Sequence, residues 1–134
     1  FAKRFSQEKR ENCWICSDGE VVRQYDNDPK CGFIFTANGF LSLWNVLKKV
    51  YDEDGWIMLK PKLPILFIAG AQDPCIVNAQ KFHKAYSFMR KVGYSTVQSK
   101  LYPNLRHEIL NEPIKEEIYA DIDAFLKEQL EEAV

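Results

Sequence analysis

The sequence predicts an α/β fold built on two parallel strands, and three observations carry that prediction. The stretch "ILFIA" at 65–69 is apolar at every position, the pattern of a parallel strand covered by helices on both faces. Val97, Ser99 and Leu101 then mark a second strand over 96–102. Between them Asn78 can cap a helix of about 79–91 that carries Phe82, Tyr86 and Met89 on one face, with Gly93 just past its end. Strand, helix and strand in that order form a right-handed parallel crossover.

Upstream, residues 1–16 carry weak helical character, with Phe1, Phe5 and the Cys13–Cys16 patch as apolar points. Ser17 and Glu20 have the spacing of a capping box, which predicts a short helix through Val21, Val22 and Tyr25. The turn residues "DNDP" at 26–29 end it. Thr36 or Asn38 then caps a helix of about 39–50. Its apolar residues Phe40, Leu43, Trp44, Leu47, Val50 and Tyr51 recur at three- and four-residue steps, and core packing is the expectation for such a stripe. "DEDG" at 52–55 breaks the helix, and the proline-rich junction at 60–64 divides a helical first part from an α/β second part. Beyond the second strand Pro113 opens a last helix, capped by Asn111 or Glu112. Ile114, Ile118, Ile122, Phe125, Leu126 and Leu130 form its expected buried stripe.

Composition narrows the function. With 46% hydrophobic residues the chain has material for a core, and 18 basic against 19 acidic side chains leave a net charge of −1. No basic stripe emerges, so nucleic acid is not an expected partner. The longest apolar run, at 64–71, is far shorter than the roughly 20 residues of a membrane-spanning helix. Charge interrupts every apolar position of the first ten residues, so no signal peptide is read there. Cys13 and Cys16 have metal-site or redox spacing, but no second pair follows, and His83 and His107 are distant in sequence. The expectation for the cysteines is small apolar thiols in a reducing cytoplasm, with no metal and no cofactor.

The chemistry is expected beyond the carboxyl ends of the strands, where open parallel sheets gather functional groups. Asp73 follows the first strand and His107 the second. A carboxylate beside an imidazole fixes its tautomer and stabilises its protonated form, as a histidine base requires. Each residue has a plainer alternative. The "GAQDP" stretch at 70–74 can be a turn whose Asp bonds local amides, and a single loop histidine need do nothing.

"LPILFIAGAQDP" (63–74) followed by "LYPNLRHEILNEP" (101–113) resembles the closing half of an α/β-hydrolase of the monoacylglycerol-lipase and lysophospholipase-like branch. "YDNDPKCGFIFTANGF" (25–40) resembles the segment by which a helical cap rejoins the main fold. The resemblance implies a Ser–Asp–His triad in that chain order, with Asp73 as acid and His107 as base. It implies residues 1–60 as mostly helical cap and its return, and 61–134 as the end of the catalytic domain. The expected G-x-S-x-G elbow does not occur in these 134 residues, and the chain does not begin with Met. The expectation is therefore a C-terminal fragment of a serine hydrolase, inactive alone, whose parent cleaves a small apolar ester or lysophospholipid. Its partners would be the missing N-terminal half, or another copy joined at the open edge of the first strand. Peptidase activity on the same triad, or a non-catalytic binding module, are the alternatives. The "CGF" stretch at 31–33 is a candidate pocket wall.

Overall fold

The computed structural model describes residues 2–8 and 10–131. The order along the chain is α1 (Gly19–Asn27), α2 (Ala37–Val50), β1 (Ile65–Gly70), α3 (Ala79–Lys91), β2 (Val97–Tyr102) and α4 (Lys115–Glu131). Short 3-10 turns stand at Ala2–Phe5, Glu53–Gly55, Pro74–Ile76 and Ile109–Asn111. The strands β1 and β2 pair in parallel, from Ile65 beside Val97 to Gly70 beside Tyr102. The ladder runs past both ends, through Ile65 N–H to Thr96 O (2.9 Å) and Ala71 N–H to Tyr102 O (2.9 Å). Among the described residues each strand has a single neighbour, so the far edge of β1 carries no ladder.

Local signals set most boundaries. The Asn78 side chain accepts from Lys81 N–H at 2.9 Å and starts α3. At the other end, Gly93 takes φ +114°, a conformation that suits glycine. Thr36 accepts from Gly39 N–H at 3.1 Å and starts α2. Tyr102, Leu105, Ile109 and Ile118 form the main core, with Ile68 and Ile122 against it. A second cluster of Ile15, Cys16 and Val22 is flanked by Trp14, Val21 and Tyr25.

The structure departs from expectation in four places. Residues 2–8 and 10–16 form a 3-10 turn and irregular chain in place of a helix; Phe1 lies outside the described residues. The Ser17–Glu20 capping box does not form. Asp18 caps α1 through Glu20 N–H at 2.8 Å, because the Ser17 hydroxyl is drawn to Glu112. The apolar stripe of α2 is not core: the helix has no buried residue, and Trp44 is 64% exposed. Periodicity identifies an apolar face but not what covers it, and here ring pairs reach it at Phe40 from Phe35 (5.6 Å) and at Tyr51 from Phe88 (5.2 Å). In α4, Ile118 is fully buried, whereas Leu126 and Leu130 are exposed, as is Ile114 just before the helix.

Candidate active site

Gly70 brings the two halves of the site together. An alanine Cβ at this position would lie 2.2 Å from Arg106 O and 2.3 Å from Leu105 O. The absence of a side chain thus lets the end of β1 pass directly beneath the loop that follows β2. Gln72 N–H donates to Leu105 O at 2.8 Å and locks the crossing. Asp73 lies next along the chain, 5% exposed, and His107 two residues beyond Leu105.

The Asp73 carboxylate uses both oxygens. Oδ1 accepts from Cys75 N–H at 2.7 Å, starting the 3-10 turn Pro74–Ile76, and Oδ2 lies 2.9 Å from His107 Nδ1. The local-turn reading and the acid–histidine reading are therefore both true of this side chain. The turn ends at Val77, whose φ of +64° and ψ of −58° close a γ-turn with Asn78 N–H on Ile76 O at 2.7 Å. That conformation is strained for a β-branched residue, and strain of this kind gathers at functional sites.

His107 is held from the opposite side by the N-terminal segment. Its N–H donates to Trp14 O (3.3 Å) and Glu108 N–H to Ile15 O (2.8 Å), while the Trp14 ring lies 5.2 Å from the imidazole. Glu112, 0% exposed, accepts from Arg106 N–H (2.8 Å), from Ser17 N–H (3.1 Å) and from the Ser17 hydroxyl. The Arg106 guanidinium donates to Cys16 O (3.2 Å), Cys13 O and Glu8, and lies over the Phe5 ring. Glu112 was expected as a helix cap, and its carboxylate instead joins segments 95 positions apart.

Electrostatics bind the pair. Burial pushes the Asp73 carboxyl up, but hydrogen bonds from His107 and the Cys75 amide outweigh it and leave the group below its usual range. The Asp73 hydrogen bond, with a smaller contribution from Cys75, raises His107 to about 10. A carboxylate this close therefore favours imidazolium, and with Nδ1 engaged, Nε2 is the nitrogen left for proton transfer.

Asp73 and His107 border an open cleft of about 1010 Å³ whose walls include Trp44, Tyr51, Phe67, Phe82 and Phe88. None of the chain's six serines lines it. The Ser17 hydroxyl is bonded to Glu112 and the Ser95 hydroxyl to Pro61 O (3.1 Å). Of the 31–33 stretch, Cys31 and Gly32 border a separate hollow with Tyr25 and Asn12. Cys13 and Cys16 are buried, as small apolar thiols are expected to be, whereas Cys75 is exposed. Cys75 was not singled out by sequence, yet its thiol stands with Asp73 and His107, one donor atom of each within 4.8 Å of the others. Its position two residues past the acid, on the same tight turn, was the available signal.

A parallel crossover with an acid after its first strand and a histidine after its second matches the chain order of acid and histidine in α/β-hydrolases. The sequence model of the serine aminopeptidase (S33) family matches residues 1–114, and the chain belongs to that family of hydrolases. Among solved structures it is similar to a highly thermostable carboxyl esterase from Bacillus coagulans, determined in complex with glycerol. Identity is 28%, the TM-score is 0.72, and the match covers 94% of this chain and 41% of the esterase. The chain thus spans well under half the length of that relative. No helix among the described residues is long and apolar enough to cross a membrane.

Proposed function

We propose that this chain supplies the acid and the base of a serine hydrolase that cleaves carboxylic esters with an apolar acyl part. A G-x-S-x-G serine outside these 134 residues would be the nucleophile. His107 Nε2 takes the serine proton as the hydroxyl attacks the ester carbonyl, then returns it to the leaving alcohol. Water repeats the sequence on the acyl-enzyme. Asp73 holds the ring through Nδ1 and stabilises the imidazolium. The observation that carries this reading is the 2.9 Å bond between Nδ1 and the buried Oδ2 at the mouth of an aromatic cleft. Residues 61–134 then belong to the catalytic domain and 1–60 to a cap and its return, with 13–17 tied back to the His107 loop. The aromatic walls favour an acyl chain of the monoacylglycerol or lysophospholipid kind.

A second reading, a peptidase on the same triad, is favoured by the family's description as serine aminopeptidases. Steady-state hydrolysis of p-nitrophenyl acyl esters and of aminoacyl nitroanilides separates the two. The assay uses a polypeptide that joins this chain to an upstream G-x-S-x-G serine. Preference for acyl esters, with turnover falling on the order of a millionfold in His107→Ala, is the expected result. A higher kcat/KM on the anilides replaces the esterase with the peptidase. Ester hydrolysis unchanged in His107→Ala overturns both.

A further inference from the structure

We propose that Asp73, Cys75 and His107 form a binding site for a divalent cation of the zinc class. The three side chains offer one carboxylate oxygen, one thiol sulfur and one imidazole nitrogen, within 4.8 Å of one another. Mixed S, N and O donors suit zinc and not the oxygen-seeking magnesium or calcium. Bond lengths of about 2.0–2.3 Å place tetrahedral ligands about 3.5 Å apart. Oδ2 and Nδ1, hydrogen-bonded at 2.9 Å, open by about half an ångström to reach that spacing, and closing the remainder falls to the thiol. Cys75 is exposed, and its thiol already interacts with His107. The Cys75 amide on Oδ1 at 2.7 Å orients the carboxylate from behind, the outer support that metal ligands commonly have. Three protein ligands leave a fourth position facing the cleft for water or another small donor.

The consequence for His107 is the same whichever ring nitrogen binds. Coordination through Nε2 occupies the nitrogen that would accept a proton, and coordination through Nδ1 replaces the proton shared with Asp73. The thiol and the imidazolium each give a proton to solvent as the metal–sulfur and metal–nitrogen bonds form. Zinc therefore withdraws the histidine from acid–base work, and Cys75 is the residue that makes the site susceptible. The binding itself does not depend on the esterase reading, since it needs only the three donors.

The test is titration of the 134-residue chain with Co2+, followed by thiolate-to-cobalt charge-transfer absorption. The expected result is one Co2+ bound per chain, bleached by Zn2+. Cys75→Ser abolishes the band, His107→Ala weakens binding tenfold or more, and Cys31→Ser leaves it unchanged. Cys75 is exposed, so the serine variant keeps its fold by circular dichroism, and Cys75→Ala serves as a second variant. A charge-transfer band that survives both Cys75 variants, or its absence from the native chain at millimolar Co2+, overturns the proposal.

Discussion

Replacing Gly70 by alanine puts a methyl group where two carbonyl oxygens already stand. The added Cβ would lie 2.2 Å from Arg106 O and 2.3 Å from Leu105 O, with Leu105 C at 2.5 Å. Close carbon–oxygen contacts in proteins settle at about 3.3–3.6 Å, so the strand end and the loop must part by roughly 1 Å. All three obstructing atoms are backbone, and no side chain can rotate away. Overpacking of this kind costs about 1–3 kcal/mol. Loss of the Gln72–Leu105 hydrogen bond adds about 0.5–1.5 kcal/mol. The reduced freedom of the unfolded chain returns about 0.4–1 kcal/mol. At mid-range the net expectation is a loss of about 2 kcal/mol, read as a fall of about 1–2 M in the urea midpoint for a slope near 1–2 kcal/mol/M. Tryptophan fluorescence during urea unfolding measures it. The same separation stretches the Asp73–His107 bond, so the His107 titration followed by NMR should shift down toward 6.5. A midpoint within about 0.3 M of the parent, together with an unmoved His107 titration, would refute the crossing as the device that assembles the site.

Other perturbations have definite signs. Glu112→Ala leaves the Arg106 amide and the Ser17 amide and hydroxyl without their acceptor, and should cost at least about 1–3 kcal/mol by urea unfolding. Glu112→Gln, which keeps an acceptor, should cost clearly less, and equal losses would remove the hydrogen-bond explanation. For pH, the folded His107 is raised above 6.5, so its stabilising contribution is whole below that value and is lost as pH rises toward about 10. The folded Asp73 is lowered, so its contribution is whole above 3.8 and is lost at more acidic pH. The stability difference between the parent and Asp73→Asn should thus be largest near pH 5 and shrink by pH 9; a difference that grew toward pH 9 would contradict the ion pair.

The parts legible in sequence are those that local chemistry decides. The apolar run at 65–69 became β1, although Ile65, Leu66, Phe67 and Ile68 are only half-buried, while Asn78 and Gly93 bracketed α3. Asp73 and His107 could be placed at strand ends because each follows a strand directly, and the structure brings them to 2.9 Å. What was not legible depends on contacts distant in sequence. Ser17 has the pattern of a capping residue but lies against Glu112, which left Asp18 to cap α1. The α2 stripe shows an apolar face, but sequence periodicity does not say what covers it. Gly70 reads as an ordinary strand end until the loop above it is seen. Cys75 reads as a small apolar residue, and its place beside His107 follows from the turn that the Asp73 side chain closes.

The proposed function requires Asp73 and His107 to activate a serine supplied by chain outside these residues. Fluorophosphonate labelling measures that activation without choosing a substrate, because the probe reacts with a serine that has lost its proton to a base. In a polypeptide carrying this chain after a G-x-S-x-G serine, the parent should label rapidly at that serine. His107→Ala should label slower by several orders of magnitude, with Asp73→Asn also strongly slowed. A His107→Ala variant that labels as fast as the parent would contradict the account.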